Sequence, residues 1–178
     1  MAADLNILLA GFGGQGVLFA GKLIAAAGLI EGRELSWLPS YGPEMRGGTA
    51  NCSVCLSDDP IGSPLVTHPD VLVAMNQPSL EKFEDEVVAG GLILVDSSMV
   101  PVEPTRADVR FFAIPATQLA EENDLKGLAN IVLLGKLFKE VGFSGPEALD
   151  QALAESVPPR KAHLLEPNRR ALALGMEN

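Results

Sequence analysis

Residues 5–16 constrain the fold of this chain more than any other stretch. Leu5-Asn6-Ile7-Leu8-Leu9-Ala10 is a compact apolar run, Gly11-Phe12-Gly13-Gly14-Gln15-Gly16 follows it, and a long Ala/Leu/Ile stretch comes next. That order predicts a strand over about 4–10, a glycine-rich turn, and a helix over about 14–30. A turn of this kind leaves backbone N–H groups bare at a helix N-terminus, where the helix dipole favours an anion. Glycines let the chain turn sharply and let a ligand approach without a Cβ in its way. The six residues satisfy the G-x-G-x-x-G pattern of dinucleotide sites, a weak signal when it stands alone.

The helix after the turn carries Val17, Leu18, Phe19, Ala20, Leu23, Ile24, Ala25, Ala26, Ala27, Leu29 and Ile30. Its apolar residues cover nearly the whole circumference, so it is expected to be buried on most sides. Either it is central in this chain or a partner covers it. It is also the longest apolar stretch, and Gly21, Lys22 and Gly28 interrupt it before it reaches the ~18 residues a membrane span requires. The start Met1-Ala2-Ala3-Asp4 lacks the basic region and apolar core of a secretory signal. A soluble cytoplasmic protein is the expectation. With 178 residues the chain is long enough for one domain, residues 1–178, with a substantial core. The net charge of −10 argues against a dedicated nucleic-acid binder.

Further along, Glu34-Leu35-Ser36-Trp37-Leu38 reads as a short strand, followed by the Pro- and Gly-rich segment Pro39 to Gly48 and a strand at about 49–56. Asp70–Met75 and Gly91–Asp96 read as buried strands, and Val109–Ala113 as another. Helices are expected from Pro78, over Pro115–Glu122, over Leu128–Val141, from a Ser144 cap to about Val157, and over Pro167–Leu174 ending near Gly175. Strands alternating with helices indicate a layered α/β fold. Continuous apolar strands fit a sheet covered on both faces. The 49–56 strand follows a loop rather than a helical crossover, so antiparallel pairing and a mixed sheet are expected there.

The usual chemistries find little support. Cys52 and Cys55 form a C-x-x-C, but residues three apart on a strand point to opposite faces and suit neither a shared metal nor a disulfide. Two thiols are too few for an iron–sulfur cluster held by four. His68 and His163 read as surface or capping residues. A nicotinamide or flavin site needs an acid closing the second strand; here that strand ends in Ser40, with Glu34 at its wrong end. Lys22 is not in a phosphate-loop context. Gln15 can hydrogen-bond a ligand or brace the opposite loop.

Gly11-x-Gly13-Gly14-Gln15-Gly16-Val17, then Ala20-Gly21, then Ser40-Tyr41-Gly42-Pro43-Glu44-Met45-Arg46-Gly47-Gly48 resembles the gamma subunit of 2-oxoacid:ferredoxin oxidoreductases. The resemblance continues through Ile61-Gly62-Ser63-Pro64, the Asp70 strand, Gly90-Gly91, Asn130-x-x-x-x-Gly135 and the terminal Asn168 to Gly175. It covers essentially the whole chain. It implies an α/β/α three-layer sandwich with a mixed, mostly parallel sheet, like domain III of pyruvate:ferredoxin oxidoreductase. It also implies a multi-subunit enzyme that oxidatively decarboxylates a 2-oxoacid with coenzyme A, giving acyl-CoA, carbon dioxide and reduced ferredoxin; 2-oxoglutarate is the favoured substrate. Alpha, beta and ferredoxin-like delta subunits, with ferredoxin as acceptor, are the implied partners. Thiamine diphosphate, magnesium and 4Fe–4S clusters would sit in those partners, because this chain has no Gly-Asp-Gly…Asn-Asn signature. Alone it would be inactive, and its apolar partner surface would favour a homodimer. Gly11, Gly13, Gly14, Gln15, Gly16, Tyr41, Glu44, Arg46, Gly47 and Gly48 are the implied binding residues, with no catalytic group and no metal ligand. Arg46 would offer a fork to a phosphate or carboxylate, or pair internally with Glu44; Tyr41 would stack, hydrogen-bond or pack. The alternatives in a different class are a stand-alone dinucleotide-binding module and a purely structural subunit.

Overall fold

The computed structural model describes residues 4–40 and 49–178. Its elements run β1 (Leu5–Phe12), α1 (Val17–Ile30), β2 (Glu34–Ser40), β3 (Thr49–Ser57), β4 (Val71–Ala74), α2 (Gln77–Phe83), β5 (Leu92–Asp96), β6 (Arg110–Ile114), α3 (Ala116–Glu122), α4 (Ala129–Val141), α5 (Pro146–Ser156) and α6 (Leu165–Glu177). Short 3-10 turns at Glu84–Glu86 and Pro159–Leu164 extend α2 and precede α6.

The six strands form a sheet in the order β2-β3-β1-β4-β5-β6. β3 is antiparallel to both neighbours, whereas β1–β4, β4–β5 and β5–β6 are parallel. Of the described strands, β3 alone runs against the rest. The mixed sheet thus has the cause expected from sequence: no helical crossover separates β2 from β3, and parallel strands need a longer connection. β4 and β5 are buried at every position, as strands covered on both faces must be.

The two faces are unequal. On one, Ile7, Leu9, Val54, Val73 and Leu94 meet α1, α3, α4, α5 and α6 in a large core. On the other, Leu8, Leu72, Ile93 and Val95 are covered by α2 and Val100 in a smaller one. α1 lies between the β1–β3 part of the sheet and helices α4 and α5. Its buried residues span Val17 to Gly28, Phe19 and Leu18 are half-buried, and Leu29 is 65% exposed. Central placement within this chain therefore accounts for most of its all-round apolarity.

Several helix ends differ from expectation: α1 starts at Val17 rather than near residue 14, and α5 and α6 depart as well. Ser144 does not cap α5: Gly145 is the N-cap residue, and the Ser144 hydroxyl donates to the Gly145 carbonyl instead. The Gly145 N–H is taken by Glu31 Oε1 at 2.5 Å, so the end of α1 is tied to the N-cap residue of α5. α6 begins two residues before Pro167 and runs beyond Gly175. Gly175 is not a terminator but a crossing point. A Cβ there would collide with the Val132 carbonyl of α4, and one on Gly135 would collide with the Leu172 carbonyl of α6. The two glycines let the helix backbones touch.

The cysteines lie as strand alternation requires. Cys52 Sγ is 3.7 Å from the Val17 carbonyl under α1, and Cys55 Sγ is 3.9 Å from the Ser63 carbonyl on the other face. Both are free and buried, and burial pushes the Cys52 thiol up to about 12. His68 and His163 are exposed. Among the described residues no helix is long and apolar enough to cross a membrane.

Candidate functional site: the glycine turn and its cleft

β1 carries two residues further into the glycine motif than its apolar run suggests, because Gly11 and Phe12 pair with Ala50 and Thr49 of β3. The chain then reverses over Phe12–Gln15, closed by the Gln15 N–H on the Phe12 carbonyl at 3.2 Å. Gly14 takes φ +94°, the sign a type II turn demands at its third residue. Gly16 is the α1 N-cap, in the left-handed region at φ 77°, ψ 19°.

Among the described residues no side chain caps α1, and its first turn contains no acid. Its first helical bond is Ala20 N–H to the Gly16 carbonyl, 3.0 Å. By helix geometry the N–H groups of Val17, Leu18 and Phe19 have no acceptor within the helix. They form the positive end of a helix whose capping position is a bare glycine.

Gln15 turns out to be a brace. Its Oε1 accepts from Phe12 N at 2.6 Å and from Asn76 Nδ2 at 3.3 Å, and its Nε2 donates to the Met75 carbonyl at 3.0 Å. Asn76 in turn caps α2, accepting from Ser79 N at 2.9 Å. One glutamine thus ties the turn after β1 to the turn after β4. Its packing also explains Gly11, where a Cβ would sit 2.6 Å from Gln15 Oε1 and 3.1 Å from Met75 Cβ.

Beside the turn lies a cleft of about 250 Å³, lined by Gly14, Gln15, Met75, Met99, Thr117, Ala120, Glu121, Gly127 and Ala129. Its walls follow the carboxyl ends of β1, β4, β5 and β6. The chain leaves β1 toward β2 and β3 on one side, and β4 lies on the other side. In open α/β sheets, ligands bind at such a reversal of strand order. Met99, on the cleft wall, is 39% exposed, and Phe12, the last residue of β1, is 37% exposed.

The far wall is held by Asp96, a fully buried carboxylate at the end of β5. It accepts from Ser98 N at 3.0 Å, from Thr117 N at 3.2 Å and from Thr117 Oγ1 at 2.5 Å, which fixes the start of α3. Met75, Met99, Thr117 and Glu121 were not singled out from sequence. The one available signal was Asp96 itself, an acid closing an otherwise apolar strand.

Of the residues expected at the site, Gly11, Gly13, Gly14, Gln15 and Gly16 are brought together at this end of the sheet. Tyr41, Glu44, Arg46, Gly47 and Gly48 lie outside the described residues. Their flanks do not: Thr49 pairs with Phe12, and Ser40 pairs with Asn51. No acid ends β2, and Glu34 is exposed at the strand's other end. The ribose partner of a dinucleotide site is therefore missing from the described residues.

Residues 6–178 match the family model described as pyruvate ferredoxin/flavodoxin oxidoreductase. The chain belongs to this family. It is 41% identical to the 2-oxoglutarate synthase subunit KorC of Methanocaldococcus jannaschii over 86% of its own length and 83% of that subunit. Among solved structures it resembles the gamma subunit of a keto/oxoacid ferredoxin oxidoreductase from Geobacter sulfurreducens (TM-score 0.84, 31% identity, 97% of this chain and 96% of that one). It also resembles the 2-oxoglutarate:ferredoxin oxidoreductase from Magnetococcus marinus with 2-oxoglutarate, coenzyme A and succinyl-CoA bound (TM-score 0.88, 27% identity, 99% of this chain and 31% of that one). Against the ketoisovalerate oxidoreductase VorA subunits of two Methanothermobacter species, the chain spans only 36% and 29% of their length. The mixed α/β sheet of this chain is thus the fold of the family's gamma subunits.

Proposed function

We propose that this chain is the gamma subunit of a 2-oxoacid:ferredoxin oxidoreductase, with 2-oxoglutarate as the favoured substrate, and that its glycine turn receives an anionic group of coenzyme A. The observation that carries the site is the uncapped N-terminus of α1, free of acids in its first turn and set at the strand reversal beside the cleft. Such an end binds phosphate or carboxylate through N–H groups already in place. The preference for 2-oxoglutarate rests on KorC, which this chain matches over most of both lengths, whereas VorA is far longer.

The residues divide the work. Gln15 holds the turn, Asp96 and Thr117 hold the opposite wall, and the methionines supply apolar surface. Glu121, exposed on the cleft wall, repels a second anion and so favours a neutral part of the ligand there. Phe12 and Met99 offer a partner an apolar rim, so that docking covers the cleft. Arg46 adds a guanidinium fork to the anion, with Tyr41, Glu44, Gly47 and Gly48 as its neighbours in sequence.

Thiamine diphosphate in the alpha and beta subunits supplies the decarboxylation chemistry, and the clusters of the delta subunit pass electrons to ferredoxin. Among the described residues of this chain no group of three His, Cys, Asp or Glu side chains could hold a metal. The assembly is cytoplasmic and acts on neither nucleic acid nor membrane. Without its partners the apolar rim favours self-association.

The test is co-purification with the partner subunits, followed by viologen or ferredoxin reduction with a panel of 2-oxoacids, with and without coenzyme A. Reduction that requires both 2-oxoglutarate and coenzyme A supports the reading. Failure to co-purify, or reduction indifferent to coenzyme A, overturns it. In the assembled enzyme, Arg46→Ala is expected to raise the KM for coenzyme A or the oxoacid; unchanged kinetics remove Arg46 from the site.

A further inference from the structure

Asn130 lies behind the glycine turn, and none of the contacts described for it reaches into the cleft. It is the second residue of α4, only 5% exposed, and 114 positions from its partner. Its Nδ2 donates to the Gly16 carbonyl at 3.1 Å. Its Oδ1 is buried and has no partner among the described residues. Around it are Leu9, Ala20, Val73 and Leu133, all apolar. At such a depth an amide that uses so little of its hydrogen-bonding capacity is unfavourable. Packing alone would be met better by an apolar side chain. What distinguishes asparagine here is the bond to Gly16.

That bond acts on the helix end. The Gly16 carbonyl and the Val17 N–H belong to one planar peptide unit. Pinning the carbonyl from α4 therefore fixes the direction in which the Val17 N–H points. The same carbonyl accepts from Ala20, so Asn130 reinforces the first turn of α1. Gly16 is required both for its left-handed backbone and because a Cβ would collide with the Asn130 amide. We propose that Asn130 is a positioning residue: it aims the N–H groups of the α1 N-terminus at the anion of the coenzyme A ligand. This rests on the reading of the cleft given above.

The experiment uses the assembled oxidoreductase with Asn130→Ala and Asn130→Ser, beside the pair Gly14→Asp and Gly14→Asn. The Gly14 pair carries the same backbone strain at φ +94° and differs in charge beside the cleft. Co-elution with the partner subunits is scored first. The expected result is a coenzyme A KM raised about five- to tenfold in both Asn130 variants. That rise is the cost of one misaimed donor to a charged group, and their kcat and their KM for the 2-oxoacid should stay within about twofold of wild type. A fall in kcat with unchanged coenzyme A KM overturns the proposal, as does failure of both variants to assemble, since either marks a residue of the fold alone. If Gly14→Asp raises the KM well above Gly14→Asn while the Asn130 variants match wild type, the positioning role fails and the anion reading stands. If Gly14→Asp equals Gly14→Asn and the Asn130 variants are silent, the anion reading itself fails.

Discussion

Removing the Gln15 side chain should loosen two turns at once. Its amide makes three bonds, to the Phe12 N–H, the Met75 carbonyl and the Asn76 side chain, at 2.6, 3.0 and 3.3 Å. The first two involve main-chain groups at the ends of β1 and β4. A typical internal hydrogen bond contributes about 1 kcal/mol net, with a larger penalty when the group left behind is buried. The longest of the three contributes least, and Gln15 is only half-buried. Gln15→Ala is therefore expected to destabilise the chain by about 2–3 kcal/mol. For a chain of this size each kcal/mol moves the Tm by about 2–4 °C, so the fall is about 4–12 °C. Gln15→Met separates bonding from packing, because it keeps the length of the side chain and loses its polar atoms. Both variants should fall by similar amounts in thermal and urea unfolding followed by circular dichroism. A Gln15→Met protein within about 0.5 kcal/mol of wild type, the usual range of an inconsequential surface change, would refute the brace and leave Gln15 as a space-filler.

The α4–α6 crossing gives a second prediction: Gly175→Ala and Gly135→Ala should each cost about 1–3 kcal/mol despite alanine's better helix propensity, whereas Gly62→Ala, with open space at its Cβ, should be near neutral in the same melts. Cys52 should resist thiol reagents at pH 8 until the protein unfolds, since its pKa of about 12 leaves almost no thiolate; rapid labelling by an aromatic disulfide in native buffer would contradict that. Its raised folded-state value also sets a sign for alkaline pH. Stability from the neutral thiol is present below the unfolded value near 9 and is lost as pH rises toward 12, so wild type should lose ground to Cys52→Ala across that window in urea titrations. Gly14→Val is expected to lower both assembly and activity through backbone strain at φ +94°, since no atom of the described residues lies within 4 Å of the added Cβ; normal assembly and activity would show that the turn tolerates a branched residue.

The sequence made the sheet readable because each strand announced itself by local chemistry. β4 and β5 are unbroken apolar runs, and a parallel strand buried on both faces can hardly be anything else. β3 was expected to be antiparallel from the lack of a crossover helix alone. Errors arose where a distant residue replaced a local one. Glu31 stands 114 positions from Gly145 and accepts its N–H at the helix start where Ser144 was expected to be the cap. Gly175 looks like a terminator in one dimension, and only the approach of α4 makes it a helix interior. The candidate site divides in the same way. The turn is local and was legible, down to the two roles open to Gln15. The opposite wall gathers Met75, Met99 and Thr117 from separate strand ends, and no periodicity links them.

That division bears on what the glycines are for. A dinucleotide site would need the turn to be one half of a βαβ unit, with an acid closing the next strand. Here the next strand is at the sheet edge, ends in Ser40 without an acid, and returns through β3 to the flank of the turn at Thr49. The turn is therefore backed by an antiparallel hairpin on one side and by β4 on the other, and Asn76, through Gln15, and Asn130 brace it from the N-terminal ends of α2 and α4. Bracing from both sides favours a rigid anion seat over a loop that closes on a cofactor. A seat of fixed shape with an apolar rim suits a ligand whose reacting end lies in another subunit. On that reading, affinity for the anion and docking of the partner are coupled: a partner that covers the rim removes water from the α1 N-terminus and strengthens its hold on charge. Coenzyme A should then bind the assembled enzyme more tightly than the isolated chain, and equal affinities by calorimetry would separate the two roles.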